Sequence, residues 1–464
     1  MHRVTRTTDC RPGRASLKAC LLAAFLAFGT ARAIAQEAEP PEEAEARPTG
    51  LPSGLDWTFN MDATWGTFGF LNSLYTNPKP EQPSGDLGDN WFEGSVKPSL
   101  TATYTSSKSW QLYGTLSAVG ERTYGAAPSL VGEDASSFKV EDLHVGLRSG
   151  QALGDFGENA LELRVGRAQY RLGHGFLLWD GGAEGGNRGG YWSNSRKAFE
   201  FAAIGRFKPG DHTLEGFYLD KDDLPEADSG SRLWGANYEY AIGESTTLGA
   251  TYMKWYANPD EAPQRDGLNV YNARAYTAPF AQLPALSFEA EYAREDNDDA
   301  LDSNAWTVSA AYEIDTRWTP KISYRYAFFE GDDPSTERNE AFDPLFLGFY
   351  DWGTWWQGEI AGEYFVSNSN LISHQVRLHT TPTEAIGTGL IFYKFLADKP
   401  EALGPEVTSS DLAFELDWYM DWKVNENFTF SFVGAFANPQ EAVEQANDRT
   451  ENFGYGMIFI AYSY

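Results

Sequence analysis

The last eight residues, Met457-Ile-Phe-Ile-Ala-Tyr-Ser-Tyr464, set Ile458, Ile460, Tyr462 and Tyr464 on one face of an extended segment and Phe459, Ala461 and Ser463 on the other. An amphipathic terminal strand ending on an aromatic residue is suited to closing a barrel in lipid. In a bilayer only helices and closed barrels pair every backbone N–H and C=O. Beyond its first residues the chain has no apolar run long enough for a membrane helix. As a membrane protein it is therefore a barrel, and its work is passage through the lumen.

Residues 1–35 read as a cleaved secretory signal peptide. Arg3, Arg6, Arg11, Arg14 and Lys18 precede an apolar run from Ala19 to Phe28, and Ala33-Ile-Ala35 offers a cleavage site before Gln36. That run is too short to cross roughly 30 Å of hydrocarbon. Both cysteines, Cys10 and Cys20, lie in this segment, so the mature chain has no disulfide, cysteine metal site or cysteine nucleophile.

The signal holds six of the 36 basic and one of the 66 acidic residues, leaving 30 against 65, a net charge of −35. Such acidity excludes nucleic acid as a partner. Mean hydropathy is −0.45, yet the chain carries 15 Trp, 24 Tyr and 30 Phe. A polar average with abundant aromatics is what a wet lumen and two interfacial aromatic girdles produce.

Residues 36–54, acidic and proline-rich, have no periodicity and read as a disordered periplasmic tail. From residue 55 to 464 alternating segments recur, the first at 57–66 and the last at 452–464, giving eighteen strands of an all-β, antiparallel transmembrane barrel. Short connectors such as 106–109, 208–211, 242–245 and 423–427 alternate with longer polar ones, as periplasmic turns alternate with extracellular loops. A further alternating stretch, 355–365, would break the even strand count, and is placed in a long extracellular excursion, 330–369, that folds back over the pore. A soluble sandwich is the competing fold, but it would bury the charged face of these strands in a core.

Once the lipid face is set, the inward charges follow. The basic ones are Lys97, Arg148, Arg164, Arg206, Arg274, Lys321, Arg325 and Arg377; the acidic ones are Asp142, Glu162, Glu200, Glu289, Glu291, Glu313, Glu415 and Asp417. The lists are equal in length, so the acidity belongs to the tail and to loops such as 220–223, 296–299 and 330–333. Two readings of the arginines stay open: a selectivity lining for carboxylate or phosphate groups, or partners in lumenal salt bridges. Alternation points Arg167 outward unless a bulge at Gly166 turns it back.

Enzymatic constellations are absent. The six histidines, at 2, 144, 174, 212, 374 and 379, form no HExxH; there is no GxSxG and no Walker loop. His374 and His379 fall on opposite faces of one strand. The glycine-rich stretch 181–190 opens no helix, and reads as a flexible loop over the pore. No cofactor or metal is expected, and acidic loop residues such as Asp296, Asp298 and Asp299 do not complete a calcium loop.

Glu162-Leu-Arg-Val-Gly-Arg167 with Leu172-Gly-His-Gly175, the stretch from Ala341 to Ile360 (AFDPLFLGFYDWGTWWQGEI), and Leu390-Ile-Phe-Tyr-Lys-Phe395 resemble motifs of the alginate export outer-membrane family. The chain departs from that pattern in carrying Gln169 two residues after Arg167, and in ending Tyr-Ser-Tyr. The resemblance implies a monomeric, eighteen-stranded porin of the Gram-negative outer membrane with an arginine-rich constriction for an anionic polysaccharide. It also implies Arg164, Arg167 and Lys394 as pore-lining positions. Such a barrel would meet lipid, LPS and a periplasmic scaffold. The expectation is thus a passive channel for anionic oligo- or polysaccharide. The alternatives are a sugar-uptake porin using Trp179, Tyr191, Trp192, Trp352, Trp355 and Trp356 for stacking, and an outer-membrane enzyme or adhesin.

Overall fold

A computed structural model describes residues 54–71, 90–125, 135–348, 357–362, 366–447 and 451–464, apart from 180, 184, 186, 194, 226 and 299. The signal peptide, nearly all of the acidic tail, and Trp352, Trp355 and Trp356 lie outside these residues. The strands are β1 Leu55–Leu71, β2 Asn90–Thr105, β3 Gln111–Gly125, β4 Ala135–Arg148, β5 Leu161–Ala168 and β6 Phe199–Phe207. They continue with β7 His212–Asp220, β8 Arg232–Ile242, β9 Thr246–Tyr256, β10 Asn269–Thr277, β11 Leu286–Asn297 and β12 Leu301–Glu313. The last six are β13 Lys321–Phe329, β14 Leu371–Thr383, β15 Ile386–Leu396, β16 Asp411–Lys423, β17 Phe428–Pro439 and β18 Phe453–Ser463. A short helix, α1 (Glu441–Asn447), precedes β18.

Each strand pairs antiparallel with its sequence neighbours, and β1 pairs with β18, which closes the ring. The eighteen expected strands are all present. Their extracellular ends run further than alternation suggested, β1 to Leu71 and β2 from Asn90, because beyond the bilayer the outward residues need not be apolar. The segment 355–365 is not a strand where it is described: Gly358–Gly362 forms a turn of π-helix.

The outer surface carries the lipid-facing set. Leu163, Val165, Ile322, Tyr324, Leu390, Phe392, Leu416 and Trp418 are among its exposed apolar residues, and the odd-numbered residues of β13, β14 and β16 face inward. An outward apolar face around a closed sheet with a charged interior excludes the soluble sandwich.

The closing strand behaves as its alternation demands. Phe459 is buried inside, Ile458 and Tyr464 are exposed outside, and Tyr462 packs on Phe428 at 4.9 Å. Tyr464 donates its N–H to Met61 and accepts that of Met61, at 3.0 and 2.9 Å. Replacing Tyr462 and Tyr464 with Ser is expected to abolish membrane assembly, measured as surface level of the heat-modifiable barrel. Wild-type levels would show that closure does not depend on this stripe.

Candidate functional site in the lumen

Two connectors turn inward, and buried wall carboxylates hold them there. The first, 169–198, joins β5 to β6; the second, 330–370, joins β13 to β14. Glu93 on β2 accepts the N–H groups of Trp192 (3.0 Å) and Ser193 (2.9 Å). Glu141 on β4 accepts those of Lys197 (2.6 Å) and Ala198 (2.8 Å). For the second loop, Glu415 accepts Ile360 N–H (2.8 Å) and Ala361 N–H (2.7 Å), and Asp417 accepts Glu359 N–H (3.1 Å). Glu295 accepts the N–H of Asp343 (2.8 Å). A carboxylate taking two amide protons satisfies both itself and a loop backbone that no ladder pairs. Gly358 makes the approach possible, since its φ is 88° and a Cβ there would lie 2.5 Å from Glu415 Oε1.

The loops also bind each other. Trp179 N–H donates to Phe346 C=O (2.8 Å), Phe346 N–H to Leu177 C=O (3.1 Å) and Gly348 N–H to Gly175 C=O (3.0 Å). Phe176, Leu177, Leu178, Trp192, Phe342, Phe346 and Ile360 are buried in a common apolar cluster with inward wall residues, including Trp255, Phe329, Phe395 and Phe459. The extracellular part of the lumen is thus packed with protein. The expectation of a flexible loop over the pore at 181–190 is corrected: Gly182 bridges to Asp222, and Gly190 N–H donates to Thr123 Oγ1. Trp192, expected as a sugar-stacking residue, sits in the packed core, its ring tilted against those of Phe68 and Phe459 at 5.3 and 4.9 Å.

Asp222, just after β7, gathers three arginines. Arg167 and Arg196 each make a short ion pair with its Oδ2, and Arg188 bonds its Oδ1 at 3.1 Å. Arg167 reaches it through a register shift between Gly166 and Ala168 against β6. Gly166 has a φ of 128°, and a Cβ there would strike Leu143 C=O at 2.3 Å, so only glycine permits the bend. The acidic loop 220–223 therefore includes a buried counter-charge. On β6 the same irregularity buries Phe199 and leaves Glu200 exposed, which removes Glu200 from the inward set.

Arg265, in the β9–β10 loop, holds the second connector by a bidentate pair with Asp343 at 2.5 and 2.6 Å. Burial works to raise the Asp343 pKa, but the Arg265 guanidinium overrides it and holds the carboxyl below its ordinary value. A depressed folded pKa means the stabilisation is complete above the unfolded value, about 4, and is lost only as pH falls through the lower folded one. The difference in loop exchange protection between wild type and Asp343→Asn is therefore expected to be constant from pH 7 to 5, to shrink below about pH 4 and to vanish only beneath the lower folded value. A difference that already disappears at pH 6 would contradict this sign.

The sequence-derived basic residues separate into distinct environments. Lys97 pairs with Asp142 at 3.1 Å. Arg274 is enclosed, bonded to Glu239 (2.7 Å), Asn237 and Thr251, and Arg325 is 1 % exposed. Arg148 on β4 and Arg206 on β6 flank Glu162 of β5 across the sheet, and Arg164 is the next inward residue along β5, so that the three form one short row. The side chains of Arg148 and Arg206 remain 37 % and 34 % exposed to the lumen. Arg148 lies over the Tyr113 ring at 4.0 Å and shares Glu162 with Arg206, which also pairs with Glu215. Arg164 donates to the Gln169 carbonyl at 2.9 Å instead of to a carboxylate. Three cations thus stand against two carboxylates in a wet environment.

Arg377 donates to Tyr419 OH at 2.8 Å, and His379 Nδ1 bonds the same hydroxyl at 2.7 Å. His374, on the opposite face, bonds Tyr324. Lys394 is corrected: it shares the outward register of Leu390 and Phe392 while Tyr393 and Phe395 are buried inside, and it pairs with Asp411 over the Phe414 ring. Parity along β15 places it on the outer wall, where it cannot line the pore.

Glu93, Glu141, Glu295, Arg188, Arg196 and Asp222 were not singled out from sequence. The signal for Glu141 was hidden by a bulge. Leu116 pairs with Leu143 but Ala118 pairs with Val140, so Glu141 and Asp142 both face in. Among the described residues no group of His, Cys, Asp and Glu is arranged to hold a metal.

Comparison with solved structures finds barrels of the same architecture from Pseudomonas aeruginosa. OccK5 (OpdH) is 12% identical, with 87% of this chain and 97% of that one covered at a TM-score of 0.56. OccK2 (OpdF) is 13% identical, covering 88% and 97% at 0.55, and OccK8 (OprE) 11%, covering 88% and 98% at 0.54. At such identities the likeness is one of fold. No curated protein sequence matches. The family model described as alginate export matches residues 121–456, a span that takes in the arginine row, both inward loops and most of the wall, and by this match the chain belongs to the alginate export family.

Proposed function

We propose that this outer-membrane barrel is a passive channel for an anionic oligo- or polysaccharide, acting as a monomer and without cofactor. The observation that carries the reading is the row Arg148, Arg164 and Arg206. These are lumenal guanidiniums in partial excess over Glu162 and Glu215, while Lys97 and Arg274 have dedicated carboxylate partners. A guanidinium fork matches a carboxylate, and a partly neutralised row attracts uronates without trapping them. Family membership favours the same substrate class. The stacking platform of a sugar-uptake porin loses Trp192 to the packed core.

The test is ion selectivity in planar bilayers. Converting Arg148 and Arg164 together to Glu is expected to shift the reversal potential toward cations. It should also weaken block by oligouronates about tenfold or more at low salt, with the difference shrinking as the Debye length falls. Arg325, being enclosed, is unsuitable for this purpose. An unchanged reversal potential in the double variant would leave the arginines as structural salt-bridge partners and remove the basis for anion transport.

A further inference from the structure

The inner surface of β11–β14 has a small recess outside the arginine row. Its floor is made of short side chains: Ser287, Ser309 and Ser323 occupy neighbouring inward positions on three adjacent strands. Lys321, Arg377 and Glu289 rise around it and enclose about 60 Å³. The three serine hydroxyls make no side-chain hydrogen bond among the described residues, and Lys321 makes no ion pair among them. Arg377 is held by Tyr419 on the far side. Glu289 is steadied by His174 at 3.5 Å, whose ring stacks on Tyr276. Hydroxyl donors and an ammonium left without protein partners around an enclosed space form a site prepared for an acceptor from outside.

We infer that this recess is a subsite for the carboxylate of a sugar acid, separate from the arginine row. The assignment rests on the anionic-glycan reading above and deepens it. The volume is about that of two waters, so a carboxylate enters and the pyranose ring stays in the lumen. Lys321 and the serine hydroxyls supply donors to the carboxylate oxygens, with Arg377 beside them. Glu289 supplies an acceptor, and this sets the class of ligand: a sugar acid offers a neighbouring hydroxyl to donate to it, whereas sulfate brings only negative oxygens that it repels. The recess therefore selects hydroxy-carboxylates over sulfate. It also provides a second station, on the opposite side of the ring from Arg148, Arg164 and Arg206.

The test uses the mature barrel in planar bilayers with sodium glucuronate, glucose and sodium sulfate as probes at equal ionic strength. Glucuronate is expected to block the current, glucose not to, and sulfate at least about tenfold more weakly. Lys321→Met and Ser309→Val, the latter filling the floor, should each raise the half-blocking glucuronate concentration about tenfold. Lys321→Arg should retain most of the block. Migration before and after heating verifies that each variant is a folded barrel. Glucuronate block that survives both Lys321→Met and Ser309→Val but is lost in the Arg148/Arg164 double variant would overturn the subsite and leave the anion channel standing. Sulfate blocking as well as glucuronate would overturn the sugar-acid assignment. A wild-type channel that is neither anion-selective nor blocked by glucuronate would overturn both readings.

Discussion

Replacing Glu415 with Ala is expected to release the second inward loop and to raise single-channel conductance several-fold. Glu415 is 1 % exposed and accepts two backbone amides, from Ile360 and Ala361. A hydrogen bond is worth about 0.5–1.5 kcal/mol, or about 1.5–3 with a charged acceptor, so losing both costs about 1–6 kcal/mol and leaves two buried N–H groups unpaired. Every 1.4 kcal/mol is about a factor of ten in population, enough to convert a seated loop into one that is mostly released. The wall should survive, because its ladders run from β1 to β18 independently of the loop. Deleting 344–362 should act in the same direction and more strongly. The measurement is single-channel conductance with heat-modifiability as the assembly control. Wild-type conductance in Glu415→Ala would mean that the apolar contacts of Phe342, Phe346 and Ile360 hold the loop without the carboxylate. Loss of the barrel on deletion would mean that the segment belongs to the wall.

The second large effect is expected at Asp222. Its carboxylate faces Arg167, Arg188 and Arg196 at once, and Glu141 is a further acid on Arg196. Removing one member of a buried ion cluster leaves uncompensated charge and costs about 3–5 kcal/mol. Asp222→Asn should therefore unseat the first inward loop while leaving β6 and β7 paired, since their ladder does not use this side chain. Arg188 and Arg196 then become exposed, and limited trypsin digestion is expected to cut after them in the variant and not in wild type. Adding Arg188→Gln to Asp222→Asn should restore part of the protection by lowering the stranded charge. Equal resistance of wild type and Asp222→Asn would show that the cluster contributes specificity of arrangement and little stability.

The period-two pattern was sufficient for the wall. Lipid on one face and water on the other impose the same constraint at every residue of every strand, so Ile458, Tyr462, Ile322 and Leu390 announce their side of the sheet locally. The same constraint made Arg148, Arg164, Arg206, Arg274, Arg325 and Arg377 legible as inward. The parity of eighteen strands even excluded residues 355–365 from the wall. At Lys394 the motif resemblance and the alternation of β15 point to opposite faces, and the alternation prevails.

What the loops do was not legible. Connectors 169–198 and 330–370 have no period, and their partners lie on strands distant in sequence: Trp192 meets Glu93 on β2, Ile360 meets Glu415 on β16, and Phe346 meets Trp255 on β9. Whether an inward arginine is enclosed or wet depends on how these loops fill the space beside it, which no local pattern encodes. The chain by itself determined a closed eighteen-stranded barrel and the face of nearly every strand residue, because each residue reports the medium it touches. Only the tertiary structure decided that the extracellular lumen is packed, that wall carboxylates hold the loops, and that Arg148, Arg164 and Arg206 stay in water, because those outcomes depend on contacts between segments brought together only when the ring closes.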